Sequence, residues 1–163
     1  MIVLDASCAN KLFLPNEEGH QEVKEIIRQH LRGSEQIIVP DLLYYEVANT
    51  LVTKTEIILE YTLESLAQLY SLNLRVIPIS EKVLSKSAEF AIKYKVTVYD
   101  AVYAVIAKQK KCNLITSDEK FIKAVNLPFV KLLSDIELIE GVEDIKAGRV
   151  VPWKKVKKKA GID

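Results

Sequence analysis

The sequence predicts an α/β fold in which a central parallel sheet is sandwiched between helices. Short apolar runs rich in β-branched residues alternate along the chain with longer stretches whose apolar residues recur at helical spacing. Such alternation is typical of parallel strands joined by helices. The length of 163 residues is that of one domain, and 49% hydrophobic and 28% charged residues are enough for a core without disulfides. A single compact α/β domain is therefore expected.

The first three elements establish the alternation. Residues 1–4 are an apolar run that ends at Asp5, which predicts a buried strand. A helix-like stretch follows and is interrupted near Pro15. Residues 18–31 have apolar side chains at helical spacing, and Gly33 is expected to end this second helix.

The remaining elements follow the same two patterns. Residues 37–39 form a β-branched run, and Pro40 with Asp41 marks the start of a helix that continues to about Thr53. After it we predict a helix over 58–72, a strand over 74–79, helices over 81–94 and 98–110, a strand over 113–116, a helix over 118–125 and a strand over 129–133. Beyond about residue 134 the pattern weakens, and no arrangement is predicted.

Cysteine and histidine are too few and too scattered for a zinc site. Cys8 and Cys112 form no CxxC pair, so buried or half-buried thiols are expected. His20 and His30 occur in a charged, helix-like stretch, where surface placement is expected in preference to a role as ligand or base. No run reaches the roughly 18 apolar residues of a membrane span, and the start of the chain lacks a basic leader, so a cytoplasmic location is expected.

Three aspartates occupy equivalent places in the predicted fold. Asp5 ends the first strand, Asp118 follows the strand over 113–116, and Asp100 lies at the start of the helix over 98–110. The carboxyl ends of parallel strands and the starts of the following helices gather at one edge of the sheet, where ligands usually bind. These acids are therefore expected to lie close together.

Glu46 joins this group from inside a helix. It lies about a turn and a half into the helix that begins near Asp41, on a face away from the apolar stripe of Leu43, Val47 and Leu51. A glutamate in mid-helix is not a helix cap, so its simple alternative role is that of a solvated surface residue.

Helix capping is the alternative explanation for the aspartates. Asp5 and Asp118 are both suited to the N-cap position of a helix. Asp100 could form a capping box with Thr97, and Glu119 could form one with Thr116. Each cap is plausible by itself, but four acids at one sheet edge favour a shared function.

A cluster of four carboxylates suits metal-dependent phosphodiester hydrolysis. Unpaired carboxylates repel one another and would be partly protonated unless a divalent cation neutralised them. An all-oxygen set without Cys or His favours Mg²⁺ or Mn²⁺ and disfavours zinc. One or two such ions would activate a water for in-line attack, with no protein nucleophile.

The same residues resemble a known family. The segments that carry the resemblance are IVLDASCANKLFLPNEE, PDLLYYEVANTL and TVYDAVYAVIAKQKKCNLITSDEKF, in that order. They resemble the PIN domain, in particular the VapC-type toxins of toxin–antitoxin pairs, from about residue 2 to residue 132. Each segment alone is a weak signal, and their order and spacing make it a strong one.

The resemblance implies a PIN-like three-layer α/β/α fold and a Mg²⁺- or Mn²⁺-dependent endoribonuclease. It also implies frequent homodimers and, in many members, an antitoxin partner. The family's catalytic and metal-binding acids correspond to Asp5, Glu46, Asp100 and Asp118. The small hydroxyl residue that supports the last acid corresponds to Thr116 or Ser117.

The chain departs from the family pattern in its basic end. Residues 149–163 carry six basic side chains and one acid, a net charge of +5, so the net charge of +1 for the whole chain leaves −4 for residues 1–148. We therefore predict a nuclease domain over 1–148 and a basic tail over 149–163. Lys154 and Lys155 could contact RNA phosphates and Trp153 could stack on a base; a solubilising end is the alternative.

Four tyrosines adjoin the acids, namely Tyr44, Tyr45, Tyr99 and Tyr103. Packing in the core or in a dimer interface is expected of them, with substrate stacking as the alternative.

Other functions remain to be weighed. A haloacid dehalogenase-type phosphatase needs a second acid two residues after the first, where this chain has Ser7. A receiver domain needs paired acids near the N-terminus in a shorter chain. An RNA-processing PIN nuclease without an antitoxin and a catalytically silent PIN scaffold both stay open.

Overall fold

The computed structural model of the protein describes residues 1–54 and 58–136. Its five strands are β1 (Ile2–Leu4), β2 (Ile37–Pro40), β3 (Arg75–Ile77), β4 (Asn113–Thr116) and β5 (Val130–Leu132). Its helices are α1 (Ala6–Phe13), α2 (His20–Leu31), α3 (Leu42–Thr53), α4 (Leu59–Ser71), α5 (Glu81–Tyr94), α6 (Val98–Lys110), α7 (Glu119–Val125) and a 3₁₀ turn (Leu133–Asp135). The predicted boundary at residue 148 and the basic tail lie outside the described residues.

The strands form one parallel sheet in the order β3-β2-β1-β4-β5. Val3 at its centre is opposite Ile38 on one side and Leu114 on the other. Right-handed crossovers between parallel strands place helices on both faces of such a sheet. The predicted three-layer α/β/α architecture is confirmed.

The strand order creates a crevice between β1 and β4. The chain leaves β1 toward β2 and leaves β4 toward β5, so the two connections diverge from neighbouring strands. In open parallel sheets ligands bind at this switch point, outside the carboxyl ends of the strands. Asp5 follows β1 and Asp118 follows β4, so the topology brings these two acids to the two sides of one crevice.

The core lies around the central strands and α6. Val3, Ile37 and Ile38 are fully buried, as apolar runs without alternation predict for a sheet covered on both faces. Helix α6 packs against β1, β2 and β4. It does so through the alanines of DAVYAVIA, among them Ala104 and Ala107, which have no exposed surface and allow close approach.

The element predictions are confirmed with small changes at the ends. The predicted strand over 74–79 is shorter, since β3 covers Arg75–Ile77. Helix α2 ends as expected, with Gly33 in the left-handed region at φ +78°. Cys8 is buried and Cys112 half-buried, and both are free thiols, as predicted. Among the described helices, none combines the length and apolar character needed to cross a membrane.

The surface placement predicted for the histidines is wrong. His20 is buried at the start of α2, and its Nδ1 hydrogen bonds to the carbonyl oxygen of Lys11 at 2.6 Å. His30 is half-buried; its Nδ1 accepts from the amide of Ile37 at 3.2 Å and its Nε2 donates to the carbonyl oxygen of Leu72 at 3.1 Å. Their polar ring atoms satisfy backbone groups between elements, so the amphipathic pattern that suggested exposure was misleading.

Candidate active site

Asp5 caps the first helix while lying at the crevice. Its Oδ1 accepts from the Ser7 hydroxyl at 2.7 Å and from the Cys8 amide at 3.0 Å. Burial raises the pKa of the Asp5 carboxyl, and hydrogen bonds from Thr116, Ser7 and Cys8 offset part of that rise. Asp5 is thus a cap, as the alternative explanation proposed, and also a carboxylate whose charged form is disfavoured.

Glu46 reaches the same region from α3. The Tyr103 hydroxyl donates to its Oε2 at 2.5 Å. Burial raises the pKa of Glu46, the Tyr103 hydrogen bond opposes the rise, and the negative charges of Asp5 and Asp100 add to it. Asp5 and Asp100 therefore both act on Glu46 electrostatically.

Tyr103 is the buried hydrogen-bond partner of Glu46. Its side chain is 2% exposed, and burial together with the charge of Glu46 raises its pKa well above the ordinary tyrosine value. The hydroxyl therefore stays protonated and remains a donor. Sequence analysis missed this role, because the two residues are 57 positions apart and only the packing of α6 against the sheet brings them together.

Asp100 forms only part of the capping box expected at α6, because its carboxylate accepts from the Thr97 hydroxyl where a capping box has the backbone amide of the N-cap. Its amide donates to the Thr97 hydroxyl oxygen at 3.1 Å, and the Thr97 hydroxyl donates to its Oδ2 at 2.6 Å. Asp100 thus takes part in the hydrogen bonds at the start of α6 and also raises the pKa of Glu46. Capping is therefore no evidence against a functional role for this acid.

Asp118 is the N-cap of α7. Its Oδ1 accepts from the Phe121 amide at 3.0 Å, and its own amide donates to the Thr116 hydroxyl oxygen at 3.0 Å. The proposed capping box between Thr116 and Glu119 is wrong, because Thr116 lies at the end of β4, two residues before the cap.

A hydroxyl link joins the ends of β1 and β4. The Ser7 oxygen accepts from the Ser117 amide at 2.8 Å, lies 3.4 Å from the Thr116 hydroxyl and donates to Asp5. The predicted supporting residues Thr116 and Ser117 are thus connected to the first acid. Ser7 itself was not predicted as a supporting residue; its place two residues after Asp5 was the only available signal.

The four predicted acids are brought to one region but not into a finished metal-ligand arrangement. Asp5, Glu46 and Asp100 interact electrostatically, and Asp118 is linked to Asp5 through Thr116 and Ser7. In residues 1–54 and 58–136, no three His, Cys, Asp or Glu side chains are placed to hold a metal ion. One oxygen of each aspartate accepts a hydrogen bond at the start of its own helix.

The donor chemistry nevertheless fits a hard divalent cation. All four side chains are carboxylates, and the charges of Asp5 and Asp100 make the ionised form of Glu46 more costly. A cation would relieve that cost, whereas Cys or His ligands for a softer metal do not belong to the group.

The neighbouring tyrosines divide into two kinds. Tyr44 stacks on Tyr70 with ring centroids 4.5 Å apart, so packing is confirmed for Tyr44 as for the buried Tyr103. Tyr45 and Tyr99 are 75% and 61% exposed, and their role stays a prediction. The predicted RNA contacts Trp153, Lys154 and Lys155 lie outside the described residues.

Comparison with known proteins decides the family. The model of the PIN domain family matches residues 2–127, which include all four acids. The chain belongs to the PIN domain family. This PIN domain is 30% identical over 125 residues to Ribonuclease VapC3 of Pyrobaculum aerophilum, covering 73% of the chain and 90% of that protein.

Solved structures agree on the fold. PAE2754 from Pyrobaculum aerophilum superposes with a TM-score of 0.63 at 19% identity, covering 82% of this chain and 83% of that one. A toxin-antitoxin complex from Klebsiella pneumoniae gives a TM-score of 0.59 at 20% identity, covering 83% of this chain and all of the matched one. At these identities the likeness concerns the PIN fold alone.

Proposed function

We propose that this PIN domain is an endoribonuclease that hydrolyses RNA phosphodiester bonds with the help of Mg²⁺ or Mn²⁺. The observation that carries the proposal is that Asp5 and Asp100 both lie close enough to Glu46 to raise its pKa, beside the crevice between β1 and β4. The similarity to Ribonuclease VapC3 supports RNA as the substrate class.

The carboxylates of Asp5, Glu46, Asp100 and Asp118 would hold the cation. When bound, a divalent cation lowers the pKa of a water nucleophile and stabilises charge on the leaving oxygen. The rest of the site orients these acids. Tyr103 holds Glu46 through its hydroxyl, Thr97 holds Asp100, and Ser7 holds Asp5, while Thr116 accepts from the amide of Asp118.

Cleavage of labelled RNA tests the proposal. Full-length protein is expected to cut RNA with Mn²⁺ or Mg²⁺ and not with EDTA. Asp100→Asn is expected to abolish cleavage. Asp41→Asn is the control, because Asp41 is likewise an acid at the start of a helix, where it accepts from the amide of Leu42, without a described interaction with the four acids. Undiminished cleavage in EDTA, or equal loss in both variants, would refute the metal-site proposal.

We further propose that the nuclease is the toxin of a toxin–antitoxin pair, acts in the cytoplasm and forms a homodimer. The VapC relative supports the toxin role. Induced expression in a bacterial host is expected to stop growth, and Asp100→Asn is expected to restore it. Normal growth with intact cleavage activity would instead indicate an RNA-processing nuclease without an antitoxin. A folded protein without any cleavage activity would indicate a silent scaffold.

A further inference from the structure

A polar groove begins at the crevice and continues between α1, α3 and α7. Its volume is about 790 Å³, within the range of ligand sites of about 300–1,000 Å³. Asp118 and Ser7, which donates to Asp5, line the groove together with Lys54, Lys120 and Lys123. A chain bound across the acids would have this groove as a continuous path.

The groove carries a small excess of positive charge. Four lysines line it, against the three carboxylates of Glu17, Asp118 and Glu119. Lys54 pairs with Glu17 at 3.0 Å and Lys123 with Glu119 at 2.9 Å. Both pairs are solvent-exposed, and exposed ion pairs are weak, so the lysines are able to exchange these carboxylates for phosphates.

The wall of the groove contains a polar atom without a partner among the described residues. Asn10 donates through Nδ2 to the Thr50 hydroxyl oxygen at 3.1 Å, while its Oδ1 is buried and accepts no hydrogen bond. Buried polar atoms are normally satisfied, and an exception calls for an explanation such as a ligand or a water. A ligand with a hydrogen-bond donor would supply what this oxygen lacks.

We propose that this groove binds the stretch of RNA next to the cleaved phosphate. Lys54, Lys120 and Lys123 contact its phosphates, and the Asn10 amide turns toward the groove and accepts from a ribose 2′-hydroxyl. The proposal rests on the proposed ribonuclease function and deepens it, since it names the binding surface and a basis for choosing RNA over DNA.

Binding measured without divalent cations separates this proposal from cleavage. The probe is a 12-nucleotide mixed-sequence single-stranded RNA with a fluorescent end, titrated with full-length protein in EDTA and followed by anisotropy. The combined variant Lys54→Ala, Lys120→Ala, Lys123→Ala is expected to bind at least about 10-fold more weakly. The slope of log K against log salt is expected to fall by about 2, since each phosphate contact on single strands contributes about 0.7.

The matched control changes three lysines of a second groove, between α5 and α6. Lys86, Lys93 and Lys108 line that groove, which shares no lining residue with the first. Lys86→Ala, Lys93→Ala, Lys108→Ala is expected to bind RNA within about 2-fold of the unchanged protein. Equal weakening in both triple variants, no weakening in either, or equally strong binding of polyglutamate would overturn the proposal.

The role of Asn10 has its own test. The unchanged protein is expected to bind the RNA more tightly than DNA of the same sequence, and Asn10→Ala is expected to reduce that preference about 5-fold. Asn113→Ala, at an exposed position in β4, is the control and should keep it. Equal binding of RNA and DNA by the unchanged protein would overturn the role proposed for Asn10. The two functions can also fail separately. If the unchanged protein cuts no RNA with Mn²⁺ but the triple lysine variant of the first groove still binds RNA more weakly, the ribonuclease function is refuted and the binding surface is not.

Discussion

The N-termini of α5 and α6 are built alike but face different surroundings. Ser80 accepts from the amide three residues later, that of Val83, at 3.3 Å, and Thr97 accepts from the amide of Asp100 at 3.1 Å. The third residue of α5 packs in the core, whereas the third residue of α6 is a carboxylate whose charge raises the pKa of Glu46. Both helices therefore have a capped N-terminus. Only that of α6 also carries an acid that interacts electrostatically with Glu46.

The largest expected effect is on RNA cleavage, which should depend on an acid of the site and not on a residue that only caps a helix. Asp5→Asn keeps an oxygen that accepts from Ser7 and Cys8 but removes the negative charge. RNA cleavage with Mn²⁺ is expected to fall at least about 100-fold, with the melting temperature unchanged or higher. Ser80→Ala is expected to leave cleavage intact. Loss of folding in Asp5→Asn, seen by circular dichroism, would mean that the cap is this residue's main role.

The next largest effect is expected in how the stability of Glu46→Gln depends on pH. The folded-state pKa of Glu46 is raised, so its ionised form destabilises the protein above the raised pKa, and this cost disappears as pH falls to the ordinary glutamate range. Glu46→Gln is therefore expected to raise the melting temperature in EDTA at pH 7 by a few degrees, with the gain shrinking toward pH 4. A gain that is constant with pH would show that the effect is not electrostatic.

Removal of the Tyr103 hydroxyl should have an intermediate effect. Tyr103→Phe takes away a hydrogen bond that orients Glu46 and lowers its pKa. Cleavage is expected to fall about 10-fold, with the acidic limb of the pH–rate profile shifted to higher pH. A slower enzyme with an unshifted profile would mean that Tyr103 acts only through packing.

The smallest effects are expected from the two matched caps. Thr97→Ala and Ser80→Ala each remove one helix cap and should each cost about 1 kcal/mol in the free energy of unfolding, measured by urea denaturation. Only Thr97→Ala is expected to lower kcat, by a few-fold, because Thr97 also holds the Asp100 carboxylate. Equal kcat values in the two variants would contradict this difference.

Local signals explain why so much of the fold is predictable. Apolar runs and helix-ending residues such as Gly33 act within a few positions, and they locate the five strands and the seven α-helices of the described residues, but not the 3₁₀ turn Leu133–Asp135. The family motifs likewise predict the four acids, of which the three aspartates lie at the starts of helices and Glu46 lies inside α3. The burial of His20 was missed because it depends on packing between α1 and α2, which no local pattern reports.

Two contacts that support the site join residues that are far apart in the sequence. Ser7 meets the Ser117 amide across 110 positions and Tyr103 meets Glu46 across 57, so neither pair leaves a local trace in the sequence. The strand order, which creates the crevice between β1 and β4, also depends on packing of the whole sheet. Residue types at the site and the local pairing of Thr97 with Asp100 were therefore predictable, and the partners distant in the sequence were not.

Calorimetric titration with Mn²⁺ in the absence of RNA tests the central claim most directly, because it asks whether the coupled carboxylates bind a cation together. The unchanged protein and Asp41→Asn are expected to bind Mn²⁺ alike, and Glu46→Gln and Asp100→Asn at least about 10-fold more weakly. Undetectable binding by the unchanged protein, or the same affinity in all four proteins, would contradict the account.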